Sequence, residues 1–250
     1  MSANKETFGK TVGIVLAVCL ACSIVVSSAA VGLRTLQQTN EKLDKQTNIL
    51  EAAGLLANAN GDIAGTYGKF VEERYVDLAT GNYVQQEAGY DMYKAARDTS
   101  LSSEVDGSAG FSRRADVASV YVVKNETGEA VRYILPVHGN GLWDLMKGFL
   151  AVDNDGQTAR GLVYYQHKET PGLGGEVQNP SWKAKWDGKK LFRNGEIAIQ
   201  VKKNVAANDQ YAVDALSGAT LTSNGVQNTL NFWLGSQGFG PFLSKLKTGA

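Results

Sequence analysis

Ten residues near the C-terminal end gather the densest chemistry in the chain: Asp214-Ala215-Leu216-Ser217-Gly218-Ala219-Thr220-Leu221-Thr222-Ser223. Four hydroxyl side chains and one glycine follow what reads as the end of a strand, and a helical pattern begins directly after them. Small hydroxyl residues at the start of a helix lie beside unpaired backbone N–H groups and the positive end of the helix dipole, a setting that favours an anion. The plain alternative is a helix cap, with Thr222 or Ser223 capping a helix that carries Val226, Leu230 and Trp233. A cap needs one hydroxyl, and it leaves Ser217 and Thr220 unexplained.

Two further clusters carry functional groups. Pro136-Val137-His138-Gly139-Asn140-Gly141-Leu142-Trp143 places glycines on both sides of Asn140 and ends in Leu and Trp. It reads either as a loop presenting a flat apolar surface or as a turn with Trp143 in the core. His167-Lys168-Glu169-Thr170-Pro171-Gly172-Leu173-Gly174-Gly175 follows a strand and supplies an acid, a hydroxyl and glycine-rich backbone. Taken alone it is no more than a turn. No G-x-S-x-G, P-loop, H-E-x-x-H or strand-linked G-x-G-x-x-G motif occurs. His138 and His167 are the two histidines, without nearby cysteine, so a histidine-based metal site is not expected.

Several elements must position these clusters. Val117–Val123 and Val131–Val137 are rich in β-branched and aromatic residues, and Asn125-Glu126-Thr127-Gly128 between them signals a hairpin. Strands are also expected at Leu162–Gln166, Ile197–Val201 and Tyr211–Leu216. Helices are expected at Phe70–Leu78, Asp144–Phe149 and, most clearly, Ser223–Leu234. The soluble part is therefore α+β, without internal repeats.

Ahead of it, Thr11–Leu33 carries no charge between Lys10 and Arg34. That run exceeds the ~20 residues a helix needs to cross a bilayer and the ~7–15 residue core of a signal peptide. A retained single-span anchor is expected over 11–33, with residues 1–10 before it. Ser27-Ser28-Ala29-Ala30 nonetheless mimics a cleavage site. Charge does not orient the span: Lys5 and Lys10 precede it, while Arg34, Lys42 and Lys45 follow with Glu41 and Asp44. Cys19 and Cys22 share one helix face, as small apolar residues or as a redox or ligand pair. Leu36, Leu43 and Leu50 extend a narrow apolar stripe into a helical stalk over about 34–60, broken in the Gly54–Gly61 region. With 25 basic and 25 acidic residues and no basic run interleaved with aromatics, nothing points to a nucleic-acid partner.

The motif Asp-x-x-Ser-Gly-Ala-Thr (Asp214–Thr220) resembles the sequence at which a flavin transferase attaches FMN to the final threonine. His-x-Glu-Thr-Pro-Gly-Leu-Gly (His167–Gly174) and Gly-Leu-Trp (Gly141–Trp143) are similar to the remaining motifs of the FMN-binding domain family. With the anchor ahead of them, the chain resembles, over its whole length, the C subunits of sodium-translocating NADH:quinone oxidoreductases.

That resemblance implies an FMN joined by a phosphoester to Thr220, with Asp214 read by the transferase or shaping the turn. It implies Ser217, Gly218, Ala219, Leu221 and Thr222 around the phosphate, and Lys202 or Lys203 neutralising it unless the pair is simply solvated. Leu142, Trp143 and Leu173 then pack the flavin ring, and Glu169, Thr170 and Gly174 meet its edge or ribityl chain. The implied role is electron relay within a sodium-pumping NADH:ubiquinone reductase, not catalysis by this subunit alone. NADH oxidation, quinone reduction and sodium movement fall to partner subunits. The implied location is the bacterial inner membrane, with residues 1–10 cytoplasmic and 34–250 periplasmic. Alternatives are the G subunit of the related ion-translocating ferredoxin:NAD oxidoreductase, a solitary membrane-anchored FMN module, or a purely structural helix cap.

Overall fold

The computed structural model describes residues 8–87 and 89–248. Two compact units divide at Lys45 and Gln46. In its described part the first unit is one helix, the beginning of α1 (Phe8–Ala52), and its most apolar window has a mean hydropathy of 2.6 with no residue buried. Of the expected tail 1–10, residues 1–7 lie outside the described residues, and Phe8–Lys10 open α1. Leu36 and Leu43 are exposed, whereas Leu50 is fully buried. Of the stripe's three leucines, Leu50, in the last turns of α1, belongs to the core of the second unit. The helix ends where expected: Gly54, Asn60 and Gly61 all have positive φ around a short 3-10 turn at Leu56–Ala59.

The second unit continues with α2 (Ile63–Phe70), β1 (Val71–Asp77), β2 (Tyr83–Val84), α3 (Met92–Ala95), β3 (Ser102–Glu104), β4 (Arg113–Ala115), β5 (Val117–Lys124), β6 (Ala130–Asn140), β7 (Leu145–Asp153) and β8 (Ala159–Gln166). After these come α4 (Pro180–Lys183), β9 (Phe192–Arg193), β10 (Glu196–Ile197), β11 (Gln200–Lys202), β12 (Ala212–Asp214), α5 (Thr220–Leu234) and α6 (Gly240–Thr248). Six strands form one antiparallel sheet in the order β2-β1-β5-β6-β7-β8.

Both faces of this sheet are covered. Val120, Val122, Leu135, Val137, Leu150 and Val152 pack with Val226, Leu230 and Trp233 of α5. On the opposite face Tyr121, Ile134, Phe149 and Ala151 meet Ile49 and Leu50 at the end of α1. Strands buried on both sides read as continuous apolar runs without period-2 alternation.

Two expected helices are strands of this sheet. Asp144–Phe149, expected as a helix, belongs mainly to strand β7, which pairs with β6 from Asn140↔Leu145 to Arg132↔Asp153. Phe70–Leu78, also expected as a helix, is strand β1, paired residue for residue with β5 from Val71↔Val123 to Asp77↔Val117. Its Glu72-Glu73-Arg74 run suits a helix locally, and the ladder with β5 overrides it. The hairpin at Asn125–Gly128 forms as expected: Gly128 has positive φ, and the Asn125 Oδ1 accepts from the N–H groups of Thr127 and Glu129. The expected strand at Ile197–Val201 is divided into β10 and β11, and the one at Tyr211–Leu216 shortens to β12.

Candidate functional site: three loops joined at Glu169

The Asp214–Ser223 segment leaves β12, turns at Gly218 (φ +72°) and enters α5 at Thr220. Ser223 stitches that turn to the helix. Its hydroxyl donates to the Ala219 carbonyl and accepts the Leu216 N–H, both at 2.9 Å. Ala219 occupies the N-cap position, and no side chain caps the helix. The cap expected from Thr222 or Ser223 is therefore corrected: α5 starts three residues earlier than expected, and both hydroxyls lie inside its first turn. Thr220 becomes the first helical residue. The N–H groups of Thr220, Leu221 and Thr222 have no carbonyl within the helix, because the first helical bond runs from Ser223 N–H to Ala219 at 3.0 Å. Ser217, Gly218, Thr220 and Leu221 are exposed at this end, while Ala219 and Thr222 are buried.

Thr222 points inward and donates its hydroxyl to Glu169. Glu169 is only 5% exposed, and its second oxygen accepts the backbone N–H groups of Leu142 (2.9 Å) and Trp143 (3.0 Å). One carboxylate thus gathers all three sequence clusters. Both carboxylate oxygens of Glu169, the residue expected at a flavin edge, thus accept hydrogen bonds from within the chain. Neighbouring contacts reinforce the junction. The Trp143 indole N–H donates to Thr170 Oγ1 at 3.2 Å, Lys168 pairs with Asp144, and Glu169 N–H donates to His167 Nδ1 at 3.1 Å.

Glycines make the approach possible. A Cβ on Gly174 would strike Thr222 and Glu169, and one on Gly225, inside α5, would strike the Asn140 carbonyl. Gly225 is a site residue that the motifs did not reveal. Its available signal was a glycine within a helical pattern, which marks close backbone approach.

Around the junction four apolar side chains face outward. Leu142 is 47% exposed, Trp143 66%, Leu173 45% and Leu221 59%. Trp143 is therefore not a core residue. Leu173 lies against Gly218, where a Cβ would come within 3.1 Å of its Cδ2, so the apolar wall adjoins the turn that carries Thr220.

Asp214 faces other partners. Its carboxylate bonds to Lys185 (2.8 Å) and accepts the Val205 N–H (3.2 Å), while its carbonyl accepts the Trp182 indole N–H (2.8 Å). The hydrogen bond from Lys185, more than the Val205 N–H, holds its carboxyl below the usual range. Lys202, opposite Asp214 in the parallel β11–β12 pair, forms an ion pair with Asp209 at 3.2 Å. Lys185 had no distinguishing signal in the sequence, because the chain returns it to Asp214 only through the fold.

The family model described as the FMN-binding domain matches residues 141–235. That interval begins at the Gly141-Leu142-Trp143 tip and ends just beyond α5, so it contains the whole junction. Over its full length the chain is similar to the C subunit of the Na(+)-translocating NADH-quinone reductase of Vibrio parahaemolyticus, at 50% identity over 100% of this chain and 99% of the relative. The corresponding protein of Yersinia pestis is 48% identical over 99% and 96%. Among solved structures, NqrC of Shewanella oneidensis superposes with a TM-score of 0.79 at 34% identity, covering 84% of this chain and 99% of that one. The C subunit of the Na(+)-translocating NADH-quinone reductase from Parabacteroides distasonis gives a TM-score of 0.68 at 30% identity, covering 85% and 97%.

Proposed function

This chain belongs to the family of C subunits of Na(+)-translocating NADH-quinone reductases, and on that basis we propose that it is the electron-relay subunit of such a complex, holding FMN covalently on Thr220. The observation that carries the assignment is the exposed Thr220 at the uncapped start of α5, beside the outward-facing apolar group of Leu142, Trp143, Leu173 and Leu221.

The residues fit the group. A phosphodiester on Thr220 keeps one negative charge next to the unpaired N–H groups of the first helical turn. Ser217, exposed in the preceding turn, adds a hydroxyl donor. Gly218 and Ala219 leave the approach open. In maturation a flavin transferase moves the FMN phosphoryl group from FAD to Thr220: a new phosphorus–oxygen bond forms at the hydroxyl, the pyrophosphate bond breaks and AMP leaves. Asp214, held at the end of β12 by Lys185 and Val205, fixes the shape of the segment the transferase reads. Lys202 is engaged by Asp209 and contributes to the phosphate only through the general field of the strand end.

When bound, FMN supplies reversible electron acceptance and donation. The chain's own residues do the rest. Trp143, Leu142 and Leu173 offer apolar area to a flat ring. Glu169 fixes where that wall stands by holding the Leu142 and Trp143 N–H groups, and Thr170 holds the Trp143 indole. A covalent link removes dissociation, so a shallow, exposed site suffices for a relay. Nicotinamide oxidation, quinone reduction and sodium movement belong to partner subunits in this reading. The uncharged run within α1 anchors the chain in the membrane, with residues 34–250 on the periplasmic side and residues 1–10 cytoplasmic.

Mass analysis of the Thr220 peptide from protein matured with the transferase tests the assignment. The FMN mass on Thr220 is expected, and an unmodified Thr220 in a flavin-loaded complex overturns it.

A further inference from the structure

A cleft of about 710 Å3 opens between α3, the turn before β4 and the facing ends of β6 and β7. None of the residues named above for the flavin lines it. Its charged wall is entirely cationic: Arg97, Arg113 and Lys147 border it, and among the described residues no carboxylate does. Among those same residues no ion pair engages Arg97 or Lys147. Arg113 is shared with Glu104 at 3.3 Å, a partner whose side chain is 86% exposed, and its guanidinium also donates to the hydroxyl (3.0 Å) and carbonyl of Ser102. Asp144, on the adjoining tip, is bound to Lys168, and the charge of Lys147 adds only a lesser attraction to it.

The floor has different chemistry. The His138 imidazole is 5% exposed and lies 4.6 Å from the Phe111 ring, 5.1 Å from Tyr93 and, behind, 4.8 Å from Trp233. Its Nδ1 is buried with no hydrogen-bond partner. Burial first, and Lys147 second, hold its pKa down to about 3, so the ring is neutral at physiological pH and remains part of an aromatic floor. The Lys147 ammonium sits 4.3 Å from the Tyr93 ring centroid, which places positive charge at the rim of that floor. Volume, a floor of mutually tilted aromatic rings (39° between Phe111 and His138, 59° between Tyr93 and His138) and a rim whose charged side chains are all cationic describe a site that discriminates shape and charge together.

We propose that this cleft binds a small planar aromatic anion, with its ring over Phe111, Tyr93 and His138 and its acidic group on Arg97, Arg113 and Lys147. The site is independent of the flavin assignment, although the two share a hairpin: His138 pairs with Lys147 in the ladder whose tip carries Leu142 and Trp143.

Isothermal titration of the full-length chain in detergent, with 1-naphthoate as probe, reads the proposal directly and requires no flavin. Saturable 1:1 binding is expected, weakened about tenfold or more in Arg97→Gln/Lys147→Gln and by raised salt, as charge recognition requires. The neutral 1-naphthamide and the non-aromatic hexanoate are each expected to bind much more weakly. Far-ultraviolet circular dichroism confirms that the double variant folds, since both side chains reach the surface. Absence of saturable binding, equal binding of naphthamide or hexanoate, or unchanged affinity in the folded double variant overturns it.

Discussion

The Thr222 hydroxyl donates to the Glu169 carboxylate across 53 residues of sequence, and the other oxygen of that carboxylate holds the N–H groups of Leu142 and Trp143. A single buried acid thereby sets the spacing between the helix that begins at Thr220 and the apolar wall facing outward beside it.

Removing that acid should loosen the site before it unfolds the domain. Glu169→Ala leaves one hydroxyl and two N–H donors without their acceptor, a loss of about 2–4 kcal/mol. For a domain of this size that lowers Tm by roughly 5–12 °C. Glu169→Gln preserves volume but turns an amide N–H toward donors, so it should recover only part of the loss. Thermal unfolding followed by near-ultraviolet circular dichroism measures both. A Tm within error of the unmodified protein contradicts the junction role.

Close approach of α5 to the end of β6 depends on Gly225. A methyl group there meets the Asn140 carbonyl, which is backbone and cannot rotate away. Gly225→Ala should therefore cost about 1–3 kcal/mol by overpacking. Gly172→Ala is the informative contrast. It has open space around it and a positive φ of 75°, so only backbone strain of roughly 1–2 kcal/mol applies. Chemical denaturation of the two variants should rank Gly225→Ala as the less stable.

Trp143→Ala separates packing from flavin contact. The side chain is mostly exposed, so stability should change by less than about 1 kcal/mol. Covalent loading at Thr220 should persist, while the ring loses one apolar wall. Fluorescence anisotropy of the attached flavin is expected to fall. Unchanged anisotropy would remove Trp143 from the proposed site.

Thr220→Ala should abolish in-gel flavin fluorescence of the denatured chain while leaving Tm nearly unaltered, because the hydroxyl is exposed and α5 takes no cap from it. A fluorescent band in the variant would place the linkage elsewhere.

Acid should destabilise the domain in two stages. His138 has its pKa lowered from 6.5 to about 3, chiefly by burial, so between these values the unfolded chain binds a proton that the folded one refuses. Its neutral form favours folding above pH 6.5, and that advantage declines as pH falls toward 3, by roughly 4–5 kcal/mol across the full window. Glu72, lowered from 4.5 to about 2 by hydrogen bonds from Arg74 and then Lys124, acts only below 4.5, and its exposure makes its contribution small. Unfolding free energies of His138→Phe should lose most of their slope between pH 6 and 4.5. An undiminished slope would assign the acid sensitivity to other groups.

Much was legible in the residues because it depends on short-range patterns. The uncharged run from Thr11 to Leu33, the Asn125–Gly128 hairpin, the helix ending at Leu234 and the three motif clusters are all contiguous signals. The helix expected at Asp144–Phe149 failed because a strand covered on both faces loses its alternation, and the one at Phe70–Leu78 failed because pairing with β5 outweighs local preference.

What the sequence by itself determined is the inventory: a threonine in a hydroxyl-rich turn ahead of a helix, an acid in a glycine-rich loop, a tryptophan after Gly141-Leu142, and an apolar span before them all. What only the tertiary structure decided is who partners whom. The motifs marked Glu169, and the fold names its partners within the chain: Thr222, Leu142 and Trp143. They marked Lys202 and Asp214, and the fold pairs Lys202 with Asp209 and brings Lys185 to Asp214. They suggested a cap at Thr222 or Ser223, and the fold starts the helix at Thr220 and turns both hydroxyls inward. The reason is common to all three. A buried or half-buried polar group must be satisfied by whatever the packing brings within hydrogen-bond reach, and that reach is set by sheet register and helix position rather than by distance along the chain.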